Sequence, residues 1–389
     1  MKTLVANATI IDGTGRDPYV GSILVDNDVV DDIFSPGQDF SGPVNVVDAS
    51  GKVAMPGIIN CHVHLGMDAG AHPMNLMAAS TVPEILMQAI DSAQKVIKKG
   101  ITTVRDCGAK EFEILLLRDH VRKGTVRGPR ILAGQALKIS GGHFVGRVVD
   151  SPAEAKKAAR EQIHAGVNFI KLMASGGLGR PNEEPGAAEL DVDEMRAAIS
   201  EGKKHGLRSA AHAHGKQSML NAIEAGVDTL EHATFMDDEV IEAILANNLM
   251  VVPTFQPYYA ISTGGVEAGL PAYMVESAKR VYEEKLPRFC KALRAGVRFA
   301  FGTDAGAPFT PHDDVVTEAV IMNEMGMSPM DVIVSCTMNA AKALGLERQL
   351  GSIEKGKSAD IVLLNGNPLD KLTNLGDVYM VMKDGQVVL

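Results

Sequence analysis

One junction recurs along the middle of this chain: a helical pattern ends in a small or basic residue, glycine follows, and an apolar run begins at once. Lys99-Gly100, Ala165-Gly166, His205-Gly206, Ala225-Gly226 and Ala295-Gly296 all fit it. Glycine just past a helix adopts the left-handed backbone that ends the helix, so each pair marks a helix-to-strand junction. The pattern predicts helices over 83–99, 152–165, 193–205, 217–225 and 237–247. It predicts strands over 102–106, 130–133, 167–173, 208–212, 229–232, 250–254 and 298–303. With the apolar run 53–60 as a further strand, eight βα units fall within residues 56–341, the length of a (β/α)8 TIM barrel. A doubly wound sheet is the rival α/β fold. Its first turn is ordinarily glycine-rich, and the first turn here carries histidines.

The two ends read differently. Residues 1–55 and 342–389 are short alternating runs broken by turns, with Asp384-Gly385 as a hairpin signal between two of them. They are expected to meet as one small β-sandwich domain, 1–55 plus 342–389, beside a catalytic barrel of 56–341. A net charge of -10 argues against a nucleic-acid partner, which needs a basic surface. No apolar stretch approaches the ~20 residues that span a bilayer, and the start lacks the features of a secretory signal. Cys61, Cys107, Cys290 and Cys336 are scattered without a CxxC pair. That suits reduced thiols, and the expected location is the cytoplasm.

In a TIM barrel the chemistry sits at the C-terminal ends of the strands. Cys61-His62-Val63-His64 ends the first strand, and histidines two apart on a strand share a side. His212 ends the fifth strand, His232 the sixth and Asp304 the eighth. Chance does not readily put four of 11 histidines at three strand ends of one face. Together they can grip divalent metal. Lys171 lies inside the apolar fourth strand. The bland reading is a salt bridge to a neighbouring carboxylate. The sharper one is that desolvation and nearby cations favour its neutral amine. Such an amine takes up CO2 to give a carbamate, N6-carboxylysine, whose two oxygens can bridge two ions. Facing four histidines, the sharper reading is preferred.

These residues carry a family resemblance. His62-Val63-His64, Lys171, His212, His232 and Asp304, with flanking β-structure, resemble the dinuclear, carboxylated-lysine type of the amidohydrolase superfamily. Gly141-Gly142-His143, Lys171-Leu172-Met173-Ala174-Ser175-Gly176-Gly177 and Ala211-His212-Ala213-His214-Gly215 narrow the resemblance, as do Glu231-His232 and Gly356-Lys357-Ser358-Ala359-Asp360-Ile361. They are similar to the imidazolonepropionase-like branch, with its zinc dipeptidases and ochratoxin-hydrolysing amidases. The resemblance implies a first ion, most simply Zn2+, on His62, His64, the Lys171 carbamate and Asp304. It implies a second on the carbamate, His212 and His232. Asp304 would also be the general acid and base. The implied reaction is hydrolysis of the amide of an N-acyl amino acid or dipeptide. The resemblance further implies a homo-oligomer, commonly an octamer in that branch. Ring opening of a cyclic amide, deamination, and a non-catalytic scaffold are the alternatives.

Substrate contacts are expected from the loops. His214, two after His212, is assigned to touching substrate or polarising its carbonyl, and His143 to substrate contact. Arg147 or Arg180 would pair with a substrate carboxylate through the planar guanidinium, and Tyr258 or Tyr259 would offer a hydroxyl. A bulky apolar substrate group is expected from the Met, Leu and Ala residues of 66–86 and from Phe144, Phe255 and Phe309. His72, His120, His164, His205 and His312 read as structural or surface residues.

Overall fold

The computed structural model describes residues 2–38, 40, 42–181 and 183–389. All five recurring glycines take the left-handed backbone, from φ 70° at Gly206 to 93° at Gly296. Each returns the chain to a parallel strand. Ile58–Val63, Ile101–Asp106 and Arg130–Ala133 lie side by side. The third strand breaks at Gly134 and resumes as Ala136–Lys138, which pairs onward with Phe169–Met173. Arg208–Ala213, Thr229–His232, Met250–Val252 and Arg298–Phe299 follow in order. The circle closes through Cys61 N to Phe301 O at 2.8 Å, Asp304 N to His62 O at 2.9 Å and His64 N to Ala305 O at 2.8 Å. This is the eight-stranded parallel barrel of a TIM fold, and those closing bonds set the first and eighth strand ends against each other.

Both chain ends join in one mixed eight-stranded sheet. Val53–Pro56 is its hinge member, parallel to Lys2–Ile10 on one side and antiparallel to Ile361–Leu364 on the other. Its inner face has its own core, including Ile10, Ile23, Ile361, Leu363 and Met382. The run 53–60 is therefore two strands in two sheets and not a single barrel strand. Gly57 makes the break: a Cβ there would lie 2.1 Å from Thr102 Oγ1. No helix among the described residues is long and apolar enough to cross a membrane.

Candidate metal centre

Three of the strand ends that matter bend in an unusual way. His232 has φ 68°, Thr254 49° and Asp304 56°. A non-glycine residue there costs about 1–2 kcal/mol, and such strain gathers where a side chain must be aimed. Strict alternation would turn His232 away from the side that Glu231 faces. The left-handed step brings both inward, and both are buried.

Four imidazoles converge, each anchored by one ring nitrogen. His62 Nδ1 meets Glu231 Oε2 at 2.8 Å and His64 Nδ1 meets Gly108 O at 3.0 Å. His212 Nε2 meets Gly176 O at 3.1 Å and His232 Nδ1 meets Thr254 Oγ1 at 2.6 Å. An outer partner on one nitrogen fixes the ring and frees the other for a ligand. The freed Nε2 atoms of His62 and His64 lie 3.6 and 3.4 Å from Asp304 Oδ1. Ligand atoms of His62, His64 and Asp304 form one group within 4.8 Å, and those of His212, His214 and His232 form another. His214 differs from its neighbours: Nδ1 reaches Thr234 Oγ1 at 2.8 Å and Nε2 the Tyr258 hydroxyl at 3.3 Å, so both nitrogens have partners.

Burial, with Lys171 second, holds His62 down at about 4. Burial also keeps His212, His214 and His232 well below the usual imidazole range. They are therefore neutral at pH 7, the form that binds metal. Burial alone would push the Asp304 carboxyl up, but His62 and the hydrogen bond from His64 hold it below the ordinary range. Lys171, 1% exposed, faces this group, and its Nζ has no hydrogen-bond partner. Neutral imidazoles and a carboxylate at this spacing fit divalent metal, and the unpartnered amine of Lys171 faces them.

The remaining expectations divide. His143, His214 and Tyr258 line a cavity of about 850 Å³, open mouth included, whose floor is this centre. His143 stacks on His212 at 4.6 Å and meets Glu183 Oε1 at 2.5 Å. Burial, with Asp304 second, pushes the Tyr258 phenol well above its usual range, so it stays a donor. Arg147 does not reach the cavity. It is exposed on the strand Arg147–Val148 and pairs with Glu161 at 3.3 Å. Arg180 is spent on the carbonyls of Gly141 and Gly142. Tyr259 packs on Tyr282, and Phe255 lies beneath the wall against Phe289. His72, read as structural or surface, lines the mouth.

Sequence reasoning missed the supports. Arg105 donates to Glu231 at 2.6 Å, Cys61 O at 2.7 Å and Thr229 Oγ1 at 3.0 Å. Despite burial, Arg105 and His62 hold Glu231 at about 2. A third group, His62, Cys107 and Glu231, also has metal-ligand spacing, but the Arg105 guanidinium already neutralises it. An arginine in the barrel strand 101–106 and a glutamate before His232 were the available signals.

The Amidohydrolase family model matches residues 53–388. This chain belongs to the amidohydrolase family. Ochratoxinase of Aspergillus niger is 28% identical over 350 residues, covering 82% of this chain and 72% of that protein. Imidazolonepropionase of Sphingopyxis alaskensis is 25% identical over 389 residues, covering 88% and 86%. A crystal structure of a Xaa-Pro dipeptidase with bound methionine in the active site superposes with a TM-score of 0.91. It is 31% identical and covers 100% of this chain and 99% of the other. A prolidase complexed with N-methylphosphonate-L-proline gives a TM-score of 0.93 at 27% identity, covering 100% and 99%. The amidohydrolase fold, the histidine-rich candidate metal groups and these relatives agree on a metal-dependent hydrolase of C–N bonds.

Proposed function

We propose that this amidohydrolase is dinuclear and hydrolyses the amide of an N-acyl amino acid or dipeptide. The observation that carries the reading is Lys171, a buried amine without a partner among four singly anchored imidazoles. Its addition to CO2 forms one N–C bond and releases one proton, leaving an anion where a cation is unsupported. His62, His64 and Asp304 would hold one divalent ion and His212 and His232 another, each with help from the Lys171 carbamate. Two divalent ions held there, zinc in our reading, supply Lewis acidity at the carbonyl and lower the pKa of the attacking water.

Asp304 is the general acid and base of the proposal. It takes a proton from the attacking water and returns it to the leaving nitrogen as the C–N bond breaks. The Tyr258 hydroxyl, 3.3 Å from His214 Nε2, is placed to donate to the carbonyl oxygen as it gains charge, with His214 orienting it. His143 borders the same space. The dipeptidase and prolidase structures and ochratoxinase support an amino acid as the leaving group. A second reading, ring opening of a cyclic amide, is favoured by the identity with imidazolonepropionase.

Metal analysis after reconstitution with bicarbonate, paired with a library of dipeptides and N-acyl amino acids, tests the reading. Two ions per chain and release of an amino acid are expected. One ion per chain, or ammonia as the only product, would sink it. Each free acid is run beside its C-terminal amide. Equal turnover of the two moves the cyclic-amide reading to the front.

A further inference from the structure

The cavity has a polar floor and an apolar roof. Four separate segments build the roof: Met74 from the helix Pro73–Ala79, Leu178 from the loop after Phe169–Met173, Ile261 from the helix Gln256–Gly264, and Met274 from the helix Ala272–Arg294. Ile261 and Met274 belong to a small apolar cluster, and Leu178 packs against it. Met74 and Gly179 close the arch between two of these segments. A Cβ on Gly179 would lie 2.2 Å from the Met74 methyl, so the two segments meet there. Histidines aside, the charged side chains among the described lining residues are Lys171 and Asp304, and both are at the floor.

A substrate group under these four side chains therefore loses water, and the polar side chains on that side are His72 and Asn75 at the mouth. An apolar group gains from that burial, whereas a carboxylate or ammonium is penalised. We infer that Met74, Leu178, Ile261 and Met274 form the specificity subsite, which takes an uncharged, bulky apolar substituent of the amide substrate and rejects a charged one. The inference rests on the floor being the amide-hydrolysing centre. It differs from carboxylate recognition by a loop arginine, because Arg147 and Arg180 do not line this space.

Two matched series test it on the metal-loaded protein. One varies the acyl group over L-alanine (hexanoyl, succinyl, 6-aminohexanoyl). The other varies the amino acid under N-acetyl (Met, Glu, Lys). Turnover and calorimetric binding are both read. In at least one series the apolar member should lead its charged partners by about tenfold or more, the scale set by small changes in an apolar pocket. Leu178→Lys, at a half-buried position, should move that ratio at least about tenfold toward the anionic member. Met74→Glu should move it toward the cationic one, and serves if the first variant melts early. Charged and apolar members handled alike in both series, or ratios unmoved in two folded variants, overturn the subsite while leaving the floor's chemistry standing. Apolar-selective binding without hydrolysis of any member sustains the subsite and overturns the amidase reading. Failure of every member to bind overturns both.

Discussion

Two lysines in this molecule are each 1% exposed, and their surroundings are opposite. Lys285, on the helix Ala272–Arg294, donates to Pro253 O and lies 3.5 Å from Thr254 O. Its Nζ is 4.9 Å from the ring centres of both Phe255 and Tyr258. Glu318, whose carboxyl group accepts Phe255 N at 2.9 Å and Gln256 N at 2.8 Å, lies nearby, and burial pushes it up from the ordinary carboxyl range. Burial still pushes Lys285 down from its ordinary value. Lys171 lacks such hydrogen bonds: its Nζ makes none, and around it stand imidazoles held neutral by burial together with the carboxylates of Asp304 and Glu231. The fold thus gives Lys285 hydrogen-bond acceptors and gives Lys171 none. An unsatisfied buried amine costs several kcal/mol, a cost that the proposed carbamate would remove.

The largest expected effect is at the unsupported lysine. Lys171→Ala should lower kcat/KM by about 10⁴-fold or more, as loss of one member of a catalytic unit does, and should lose most bound metal. Partial rescue by acetate or propionate would sharpen the contrast. Near-normal turnover and metal content would make Lys171 as structural as Lys285. Lys285→Met should act the other way round, destabilising by about 3 kcal/mol because the buried Pro253 and Thr254 carbonyls lose their donor. Metal content should change little, as measured by chemical denaturation beside metal analysis. A stable Lys285→Met protein that has lost its metal would erase the distinction.

The smallest effect is proton-linked. His312, whose Nε2 lies 3.0 Å from His64 O, is held by burial at about 4 against an ordinary 6.5. Its folded value is depressed, so the unfolded chain binds the proton more readily. Stability from this group is full above 6.5 and is lost as pH falls toward 4, about 3 kcal/mol in all. Unfolding of metal-free protein between these pH values should show the slope, and His312→Gln should flatten it by about that amount. An unchanged slope would mean that the imidazole titrates normally and that burial around His312 is weaker than described.

Much of this architecture was legible because it is local. The glycine after each helix fixes a left-handed turn whatever lies across the barrel, and the histidines at strand ends follow from counting along a strand. What was not legible depends on partners far away in the chain. Arg105 and Glu231 are 126 positions apart and meet only when the barrel closes. The run 53–60 looked continuous because nothing within it announces that Thr102 packs against Gly57. Arg147 and Arg180 were assigned to substrate from chemistry and loop position. Each instead found a nearer partner, a glutamate on the following helix and the carbonyls of a neighbouring loop. Alternation could not foresee the left-handed steps at His232, Thr254 and Asp304, because no residue type there demands them.

The strand Val53–Pro56 has a consequence for how the chain is made. Its antiparallel neighbour, Ile361–Leu364, pairs Val53 with Leu364 and Pro56 with Ile361. On the ribosome the early strands must therefore wait for nearly the whole barrel to emerge, on the order of 15–60 s at ~5–20 residues per second. Throughout that interval an apolar strand edge stands unpaired, the kind of surface that joins edge to edge with another chain. Synthesis at high expression, more than any weakness of the finished barrel, is where this protein is most exposed to aggregation. A holdase chaperone acting on nascent chains should raise soluble yield more than one supplied after release.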